Sequence, residues 1–398
     1  MPATRPATEH DESAYDSAED WLLLCDPDVS ALEAEWVQAA LRSPRLSSGP
    51  RVERFEAAFA AGLGRGHAVA VASGTLGTWL ALRALGIGPG DEVIASPHGW
   101  HQVAHAVTLC GARVVFADID YWSGCLDPAR AAAQVTPQTR AVIAGNVNGH
   151  PAAWPAFQAL AKAHGLTLIE DSTEAIGSRA HGQPVGSFGD LAVFDFSQPS
   201  ALCCGEGGMV VTEDAALAAE LRYLRSRAAG DRRSVSVGSR VPLQAGMSEL
   251  TAALGAAQLT RIDEILARRK QVEASYLEQM NSFEGIKPPY IAIGVDEVHW
   301  MLYVVHLGKR FTASARAQIV DDLATELIES APYCQPLHQQ FHYAQQGWAR
   351  GQLPLCERIA DRALALPLHG HLDADQVEFI VQTLKDSSIN VGAGAAIY

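Results

Sequence analysis

Two acidic residues near the middle of the chain have the clearest potential for chemistry. Asp171 and Glu174 lie in Glu170-Asp-Ser-Thr-Glu174, directly after a short apolar run. When a strand of an open α/β sheet ends, the residues that follow it face the crevice where ligands usually bind. Asp171 also suits a different role, the N-cap of a following helix. We predict that Asp171 belongs to a binding or catalytic site.

Histidines and cysteines form a second set of reactive side chains. His101 and His105 have the i, i+4 spacing that lets two imidazoles share a metal ion, but the sequence identifies no third ligand. We therefore predict no metal site and interpret these histidines as surface or pocket-lining groups. If the site uses a base, His98 and His101 are the candidates. Cys203 and Cys204 precede a glycine turn and can bring a thiol into a pocket, although small buried residues are the simpler interpretation.

The elements that must position these residues alternate along the chain. Helical periodicity begins near Asp28 and resumes at Val52 after a Ser-Ser-Gly-Pro turn. Most of the following short apolar runs are separated by helical segments, and we predict strands at 68–72, 92–95, 113–117, 141–144, 167–170 and 191–195. Runs that are apolar on both faces are typical of a mainly parallel sheet covered by helices, so the sequence predicts an α/β fold.

The length of the chain, 398 residues, exceeds what one core comfortably accommodates, so we expect two lobes. We place a flexible tail at residues 1–18, a large α/β domain at 19–250 and a smaller C-terminal domain at 251–398. A long helix from Ser248 leads into the smaller domain.

The composition excludes several classes of protein. Hydrophobic residues make up 48% and charged residues 19%, as in soluble globular enzymes. The formal net charge of −15 argues against a nucleic-acid surface or an anionic membrane as partner. No apolar run approaches the roughly 20 residues that span a bilayer, and the N-terminal segment lacks the apolar core of a signal peptide. We therefore expect a cytoplasmic protein.

Several motifs follow one another in the order of a known family. They are Ala72-Ser-Gly-Thr75, Gly88-Pro-Gly-Asp-Glu-Val93, Pro97-His-Gly-Trp100, Glu170-Asp-Ser-Thr-Glu-Ala175 and Gly205-Glu-Gly-Gly208. From about Val52 to about residue 382 the chain resembles the DegT/DnrJ/EryC1/StrS family, sugar aminotransferases that use pyridoxal phosphate (PLP). The resemblance implies a fold type I architecture: a large α/β lobe with a mixed, mostly parallel sheet, a smaller α+β lobe, and a homodimer whose pockets lie at the interface.

The resemblance also assigns roles around the cofactor. Gly74 and Thr75 would hold the phosphate at a helix N-terminus. Trp100 would stack on the pyridine ring, although a large aromatic residue between small ones also suits a core. Asp171 would pair with the protonated pyridine nitrogen, which makes the ring a better electron sink, and Glu174 would lie near the ring hydroxyl.

Other positions depart from the family pattern. The family's Schiff-base lysine stands five residues before Gly-Glu-Gly-Gly, and this chain has Ser200 there, which cannot form an imine. The family's phosphate-binding serine is replaced by Asp195, and two like charges about 4 Å apart repel by roughly 4 kcal/mol at an effective dielectric near 20. In the segment that reaches toward the neighbouring subunit's cofactor, Gln244 replaces asparagine and Gly246 replaces arginine.

These departures lead to three hypotheses. The first is an enzyme of sugar or specialised (natural-product) metabolism that acts on a nucleotide-linked sugar or similar polar substrate. It would hold PLP or pyridoxamine phosphate (PMP) noncovalently or use no cofactor, with Ser200 and His101 as candidate catalytic residues. The second is a noncatalytic subunit that completes the dimer of an active paralogue. The third is a conventional PLP-dependent sugar aminotransferase, which requires that the lysine position is not residue 200.

Overall fold

A computed structural model describes residues 20–226, 243–280 and 285–394, and the tail predicted at residues 1–18 lies outside these ranges. The α-helices are α1 (Ala31–Leu41), α2 (Pro50–Leu63), α3 (Gly74–Ala84), α4 (Gln102–Leu109), α5 (Pro128–Ala132), α6 (Trp154–His164), α7 (Ala215–Arg225), α8 (Glu249–Thr260), α9 (Ile262–Met280), α10 (Ala313–Thr325), α11 (Phe341–Ala344), α12 (Pro354–Ala360) and α13 (Ala374–Gly394). Within the described ranges, no helix is long and apolar enough to cross a membrane.

The strands form three sheets. They are β1 (His67–Val71), β2 (Glu92–Ala95), β3 (Arg113–Phe116), β4 (Thr139–Gly145), β5 (Thr167–Asp171), β6 (Arg179–Ala180), β7 (Gln183–Pro184), β8 (Leu191–Asp195), β9 (Gly208–Thr212), β10 (Ile286–Lys287), β11 (Val295–Glu297), β12 (Tyr303–Leu307), β13 (Ala331–Pro332) and β14 (Ala363–Leu366). The six strands predicted from apolar runs are all present. β2 and β8 have the predicted bounds, and the other four differ by one or two residues at one or both ends.

The seven-stranded sheet has the order β1-β9-β8-β5-β4-β2-β3. The pairs from β8 to β3 are parallel, whereas β9 runs antiparallel to both β1 and β8. This confirms the predicted mixed, mostly parallel sheet of an α/β fold. Because the parallel strands point the same way, the residues that follow β1, β2, β4, β5 and β8 meet at one edge of the sheet.

Helices cover both faces of this sheet. In β1, Val69 and Val71 join one buried cluster, whereas Ala68 and Ala70 join another, as the alternation of side chains along a strand requires. The second cluster lies under α2 and α8, where the ring of Phe59 meets that of Phe194 edge to face, with centroids 4.9 Å apart. The sheet is therefore apolar on both faces, which explains why its strands read as continuous apolar runs.

A smaller antiparallel sheet has the order β10-β12-β14-β13 and shares a core with α9, α10 and α13. The helix predicted after Ser248 is α8, and the Ser248 hydroxyl caps it by accepting a hydrogen bond from the Thr251 N–H. α8 packs against α1 and α2 on the large sheet. The domain boundary at residue 250 stays a prediction.

Candidate active site

A carboxylate of the chain itself occupies the N-terminus of α3. The Gly74 N–H donates a hydrogen bond to Asp195 Oδ2 at 2.6 Å. Asp195 Oδ1 accepts from the Ser197 N–H at 2.8 Å and also from the Ser197 hydroxyl. Helix N-terminal N–H groups and the helix dipole favour an anion at this place. Asp195 therefore takes a position suited to an external anion; we call Gly74, Asp195 and Ser197 the α3 cup.

Gly74 permits a close approach that any other residue would block. A Cβ at this position would lie 2.5 Å from Gln102 Oε1 and 2.8 Å from Asp195 Oδ2. Gly74 also contacts the start of β9, because a Cβ on Gly208 would lie 2.8 Å from the Gly74 nitrogen. The space next to Gly74 at the N-terminus of α3 is thus filled by the side chains of Asp195 and Gln102.

Gln102, at the start of α4, connects the α3 cup with Asp171. It is fully buried, and its Nε2 donates to Asp171 Oδ1 at 2.9 Å and also to Thr173 Oγ1. Its Oε1 has no hydrogen-bond partner among the described residues and lies next to Gly74. The side chain therefore spans the distance from the helix N-terminus to the Asp171 carboxylate.

Asp171 ends β5 and is buried with a hydrogen-bonded carboxylate. Besides Gln102, the Thr173 N–H donates to Asp171 Oδ1 at 3.1 Å. Burial raises the pKa of Asp171 to about 6 even though these hydrogen bonds favour the charged form, and the negative charge of Asp195 raises it further. Asp171 thus gains or loses a proton near neutral pH.

Glu174 is the second buried carboxyl group of this region. Its Oε2 accepts a hydrogen bond from the Tyr333 hydroxyl at 2.8 Å and another from the Asn148 N–H. Burial raises the pKa of Glu174 to about 7, and the charge of Asp171 acts in the same direction. Side chains or backbone groups of this chain therefore already satisfy Glu174, as they do Asp171 and Asp195.

The structure brings Trp100, Asp171 and Glu174 together around one cavity. Its volume is about 10 Å³, whereas small-molecule pockets typically measure roughly 300–1,000 Å³. His98 lines the same cavity, and burial lowers its pKa to about 4, so its imidazole is neutral at pH 7. The three ring-facing residues proposed from the sequence are therefore neighbours, but the space between them is small.

The two residues proposed as catalytic lie at different depths. His101 is exposed, with its ring centroid 5.4 Å from that of Trp100 and 4.8 Å from that of His105. Partial desolvation and the nearby His105 lower the pKa of His101. The Ser200 hydroxyl is buried without a hydrogen-bond partner among the described residues, and the Ser200 N–H donates to the Ser197 carbonyl at 3.0 Å. Neither residue lines the 10 Å³ cavity.

The remaining predicted residues flank the α3 cup. Thr75 follows Gly74 in the first turn of α3 and is half-buried. Gln244 is exposed, and its neighbour Ala245 accepts a hydrogen bond from the Ala72 N–H at 2.8 Å, directly before the cup. Among the described residues, no group of three or more His, Cys, Asp or Glu side chains could hold a metal ion.

The residues present do not fit PLP held as the family resemblance implies. The Gly74 N–H is bonded to Asp195, and Gln102 fills the path from the cup to Asp171. None of the described residues that line the cavity beside Trp100 is a lysine. The chain has five lysines, and one of them, Lys270, forms an ion pair with Glu273 on α9, with Nζ 2.7 Å from the carboxylate. A phosphate would have to displace a carboxylate from this site.

Gln102 and Tyr333 belong to the site but were not predicted from the sequence. Gln102 lies two residues after Trp100, and no local pattern indicates its contact with Asp171. Tyr333 reaches Glu174 from 159 residues further along the chain, a contact that no local pattern indicates. Both residues hold a carboxyl group that the sequence had marked as functional.

Comparisons with known proteins agree with the fold and with the family resemblance. Residues 27–385 match the sequence pattern of the DegT/DnrJ/EryC1/StrS aminotransferase family. The chain is 34% identical to the spore coat polysaccharide biosynthesis protein SpsC of Bacillus subtilis (strain 168), covering 90% of this chain and 95% of SpsC. It is 35% identical to GDP-perosamine synthase of Caulobacter vibrioides, covering 90% and 96% respectively.

A solved structure shows the same similarity. The crystal structure of S. venezuelae DesV in complex with a ketimine intermediate matches with a TM-score of 0.83 and 32% sequence identity, covering 95% of this chain and 96% of DesV. The family match extends over most of the chain, including the segments that form the α3 cup and the 10 Å³ cavity. The chain therefore belongs to the DegT/DnrJ/EryC1/StrS aminotransferase family.

Proposed function

We propose that this chain is a family member of sugar or specialised metabolism that does not transaminate through a lysine imine and does not anchor PLP by its phosphate. Its substrate is a nucleotide-linked sugar or a similar small polar molecule. The observation that carries the proposal is the hydrogen bond from the Gly74 N–H to Asp195 Oδ2, at 2.6 Å. With Ser200 at the lysine position, both the covalent and the ionic attachment of the coenzyme are affected.

The position of Asp195 makes its effect stronger than repulsion alone. A phosphate at the α3 cup would compete with the carboxylate for the same N–H donor. Beyond that competition, roughly 4 kcal/mol of repulsion between like charges about 4 Å apart corresponds to a loss of about a thousandfold in affinity. The coenzyme phosphate could then enter only after the Asp195 carboxylate had turned away, which removes its hydrogen bond from the Gly74 N–H at the start of α3.

Proton transfer remains possible without the coenzyme. Burial raises the pKa of Glu174 to about 7, which matches the pKa of an efficient general acid or base near neutral pH. His101 is exposed beside Trp100, and partial desolvation lowers the pKa of its imidazole. We propose Glu174 and His101 as the first residues to test for catalysis. Ser200, whose buried hydroxyl lies three residues after Ser197 of the α3 cup, is the third.

A second candidate function is a noncatalytic subunit that pairs with a lysine-containing paralogue. This function is favoured because three carboxylates of the site already accept hydrogen bonds from the chain itself. The donors are Gln102 to Asp171, Tyr333 to Glu174 and Gly74 to Asp195. A site satisfied in this way, around a cavity of about 10 Å³, supports a scaffold that keeps its shape without a ligand.

The test is dialysis of the purified protein against PLP, followed by absorbance spectroscopy with and without an amino donor. We expect no retained visible band. A band retained at one coenzyme per chain that shifts with the donor would refute the proposal. Turnover of a nucleotide-linked sugar by the colourless protein supports the first function. Inactivity alone, together with co-purification with a lysine-containing homologue whose activity it raises, supports the second.

A further inference from the structure

A cavity of about 310 Å³ lies among the helices that cover one face of the large sheet. Its described lining residues come from α1, α2 and α8, and none of them belongs to the α3 cup or to the cavity between Trp100 and Glu174. The volume is at the lower end of the roughly 300–1,000 Å³ of typical small-molecule sites. The cavity therefore suits a ligand about as large as one amino acid.

Part of the lining is apolar and made of small side chains. Ala253 and Ala256 are buried on α8, and Ala39 on α1 adds a third methyl group. The side chain of Trp36, half-buried on α1, lines the same cavity. A hydrocarbon group that covers these methyl groups and the indole ring leaves water and is stabilised by the hydrophobic effect. The lining thus favours a ligand with an apolar part.

Two side chains of opposite charge line the same cavity without neutralising each other. Glu35 on α1 and Arg54 on α2 are exposed, and neither forms an ion pair or a side-chain hydrogen bond with a residue that the structure describes. Arg51, in contrast, is already paired, because its Nη1 lies 3.6 Å from Glu249 Oε2 and its Nη2 donates to the Ala39 carbonyl at 3.0 Å. The cavity therefore offers one unpaired carboxylate and one unpaired guanidinium group.

This combination of groups matches the chemistry of a zwitterion. A guanidinium group binds a carboxylate through parallel N–H donors, and a carboxylate accepts hydrogen bonds from an ammonium group. A ligand with a single charge gains only one of these two interactions, whereas an α-amino acid gains both. An amino acid with an apolar side chain also covers the alanine methyl groups and the indole ring.

We propose that the cavity between α1, α2 and α8 binds a free α-amino acid with an apolar side chain. Its carboxylate pairs with Arg54, its ammonium group pairs with Glu35, and its side chain lies against Trp36 and the alanines. The inference goes beyond the proposed function, because it assigns a second ligand site to a part of the molecule that supplies no residue to the candidate active site.

Isothermal titration calorimetry of the full chain with L-leucine and two analogues tests the role of each charge. Isocaproate has the same carbon skeleton without the ammonium group, and isopentylamine has no carboxylate. We expect leucine to bind and both analogues to bind at least about tenfold more weakly, a difference of about 1.4 kcal/mol or more.

Substitutions in the cavity locate the binding site. Glu35→Gln and Arg54→Gln should each weaken leucine binding about tenfold. Arg42→Gln is the matched control, because Arg42 is exposed at the end of α1 and is not among the described lining residues, and it should leave the affinity unchanged. Urea unfolding of each variant verifies that these exposed positions leave the fold intact.

Several results would overturn the inference. They are no leucine binding at about 10 mM, isocaproate binding as tightly as leucine, and leucine affinity that neither Glu35→Gln nor Arg54→Gln changes. Sedimentation velocity adds a fourth, since a smaller species for Ala39→Glu than for the wild type would show that a second copy of the chain covers the cavity. None of these measurements bears on coenzyme retention, which dialysis measures separately.

Discussion

Replacing Asp195 with serine should convert a self-filled anion site into an open one. The substitution removes the hydrogen bonds from the Gly74 N–H, at 2.6 Å, and from the Ser197 N–H, at 2.8 Å. It also removes a negative charge from the N-terminus of α3, a helix of 11 residues. We therefore expect two linked effects, a loss of stability and a gain of anion affinity.

The loss of stability can be bounded from these contacts. Hydrogen bonds to a charged group contribute roughly 1.5–3 kcal/mol each, and an anion at a helix N-terminus up to about 2 kcal/mol. The serine hydroxyl recovers part of this, and removing the charge relieves its repulsion with Asp171. We expect Asp195→Ser to lower the free energy of unfolding by roughly 2–4 kcal/mol in phosphate-free buffer.

Urea unfolding with increasing inorganic phosphate measures both effects. A ligand present at 100 times its Kd stabilises the folded state by about 2.7 kcal/mol, so phosphate should restore much of the stability of Asp195→Ser and change the wild type little. Asp214→Ser is the matched control, because Asp214 caps α7 by accepting from the Ala216 N–H at 2.8 Å and lies outside the cup. Phosphate should not stabilise this control.

Two results would show that Asp195 does not act in the α3 cup as proposed. One is an Asp195→Ser protein as stable as the wild type without phosphate, which would mean that the carboxylate does not hold the helix. The other is phosphate stabilisation of the wild type equal to that of the variant, which would mean that Asp195 does not occupy the anion site.

Three further predictions concern the same region. Gly74→Ala should lower the free energy of unfolding by about 1–3 kcal/mol in urea, because its Cβ would lie 2.5 Å from Gln102 Oε1; an unchanged midpoint would contradict the close packing. Burial raises the pKa of Asp171 from 3.8 to about 6, so the free energy of unfolding of the wild type should fall as pH rises between these two values. Asp171→Asn should therefore be more stable than the wild type at about pH 8, by up to about 3 kcal/mol. A less stable Asp171→Asn variant at that pH would contradict the raised pKa. Ser200→Lys alone should not give transamination, whereas Ser200→Lys with Asp195→Ser has a better chance, and robust activity of the single variant in an amino-donor assay would show that phosphate anchoring is intact.

Much of the architecture could be predicted from the sequence because local patterns determine it. Strands buried on both faces read as apolar runs, and the glycine-rich turns fix where a strand gives way to a helix. The strand positions and the α/β fold followed from these signals, whereas the mixed, mostly parallel sheet was implied by the motifs that resemble the DegT/DnrJ/EryC1/StrS family. The position of α8 against α1 and α2 did not follow, because long-range packing has no short-range pattern.

The site was predicted less completely. Asp195 was expected to repel a phosphate, but its bond to Gly74 depends on how β8 and α3 approach each other across 121 residues of sequence. Gln102 has no special signature as a residue type, and its role depends on a contact with Asp171 across 69 residues. The sequence therefore identified Asp195 as a changed phosphate-binding position. Only the structure shows that its carboxylate accepts the hydrogen bond from the Gly74 N–H in place of an external anion.

We expect that no side chain of this protein forms an imine with the coenzyme. Incubation with PLP, reduction with borohydride and mass spectrometry of the peptides measures this directly. The expected result is no stoichiometric phosphopyridoxyl adduct on Lys162, Lys270, Lys287, Lys309 or Lys385. One adduct per chain on a single lysine would contradict it.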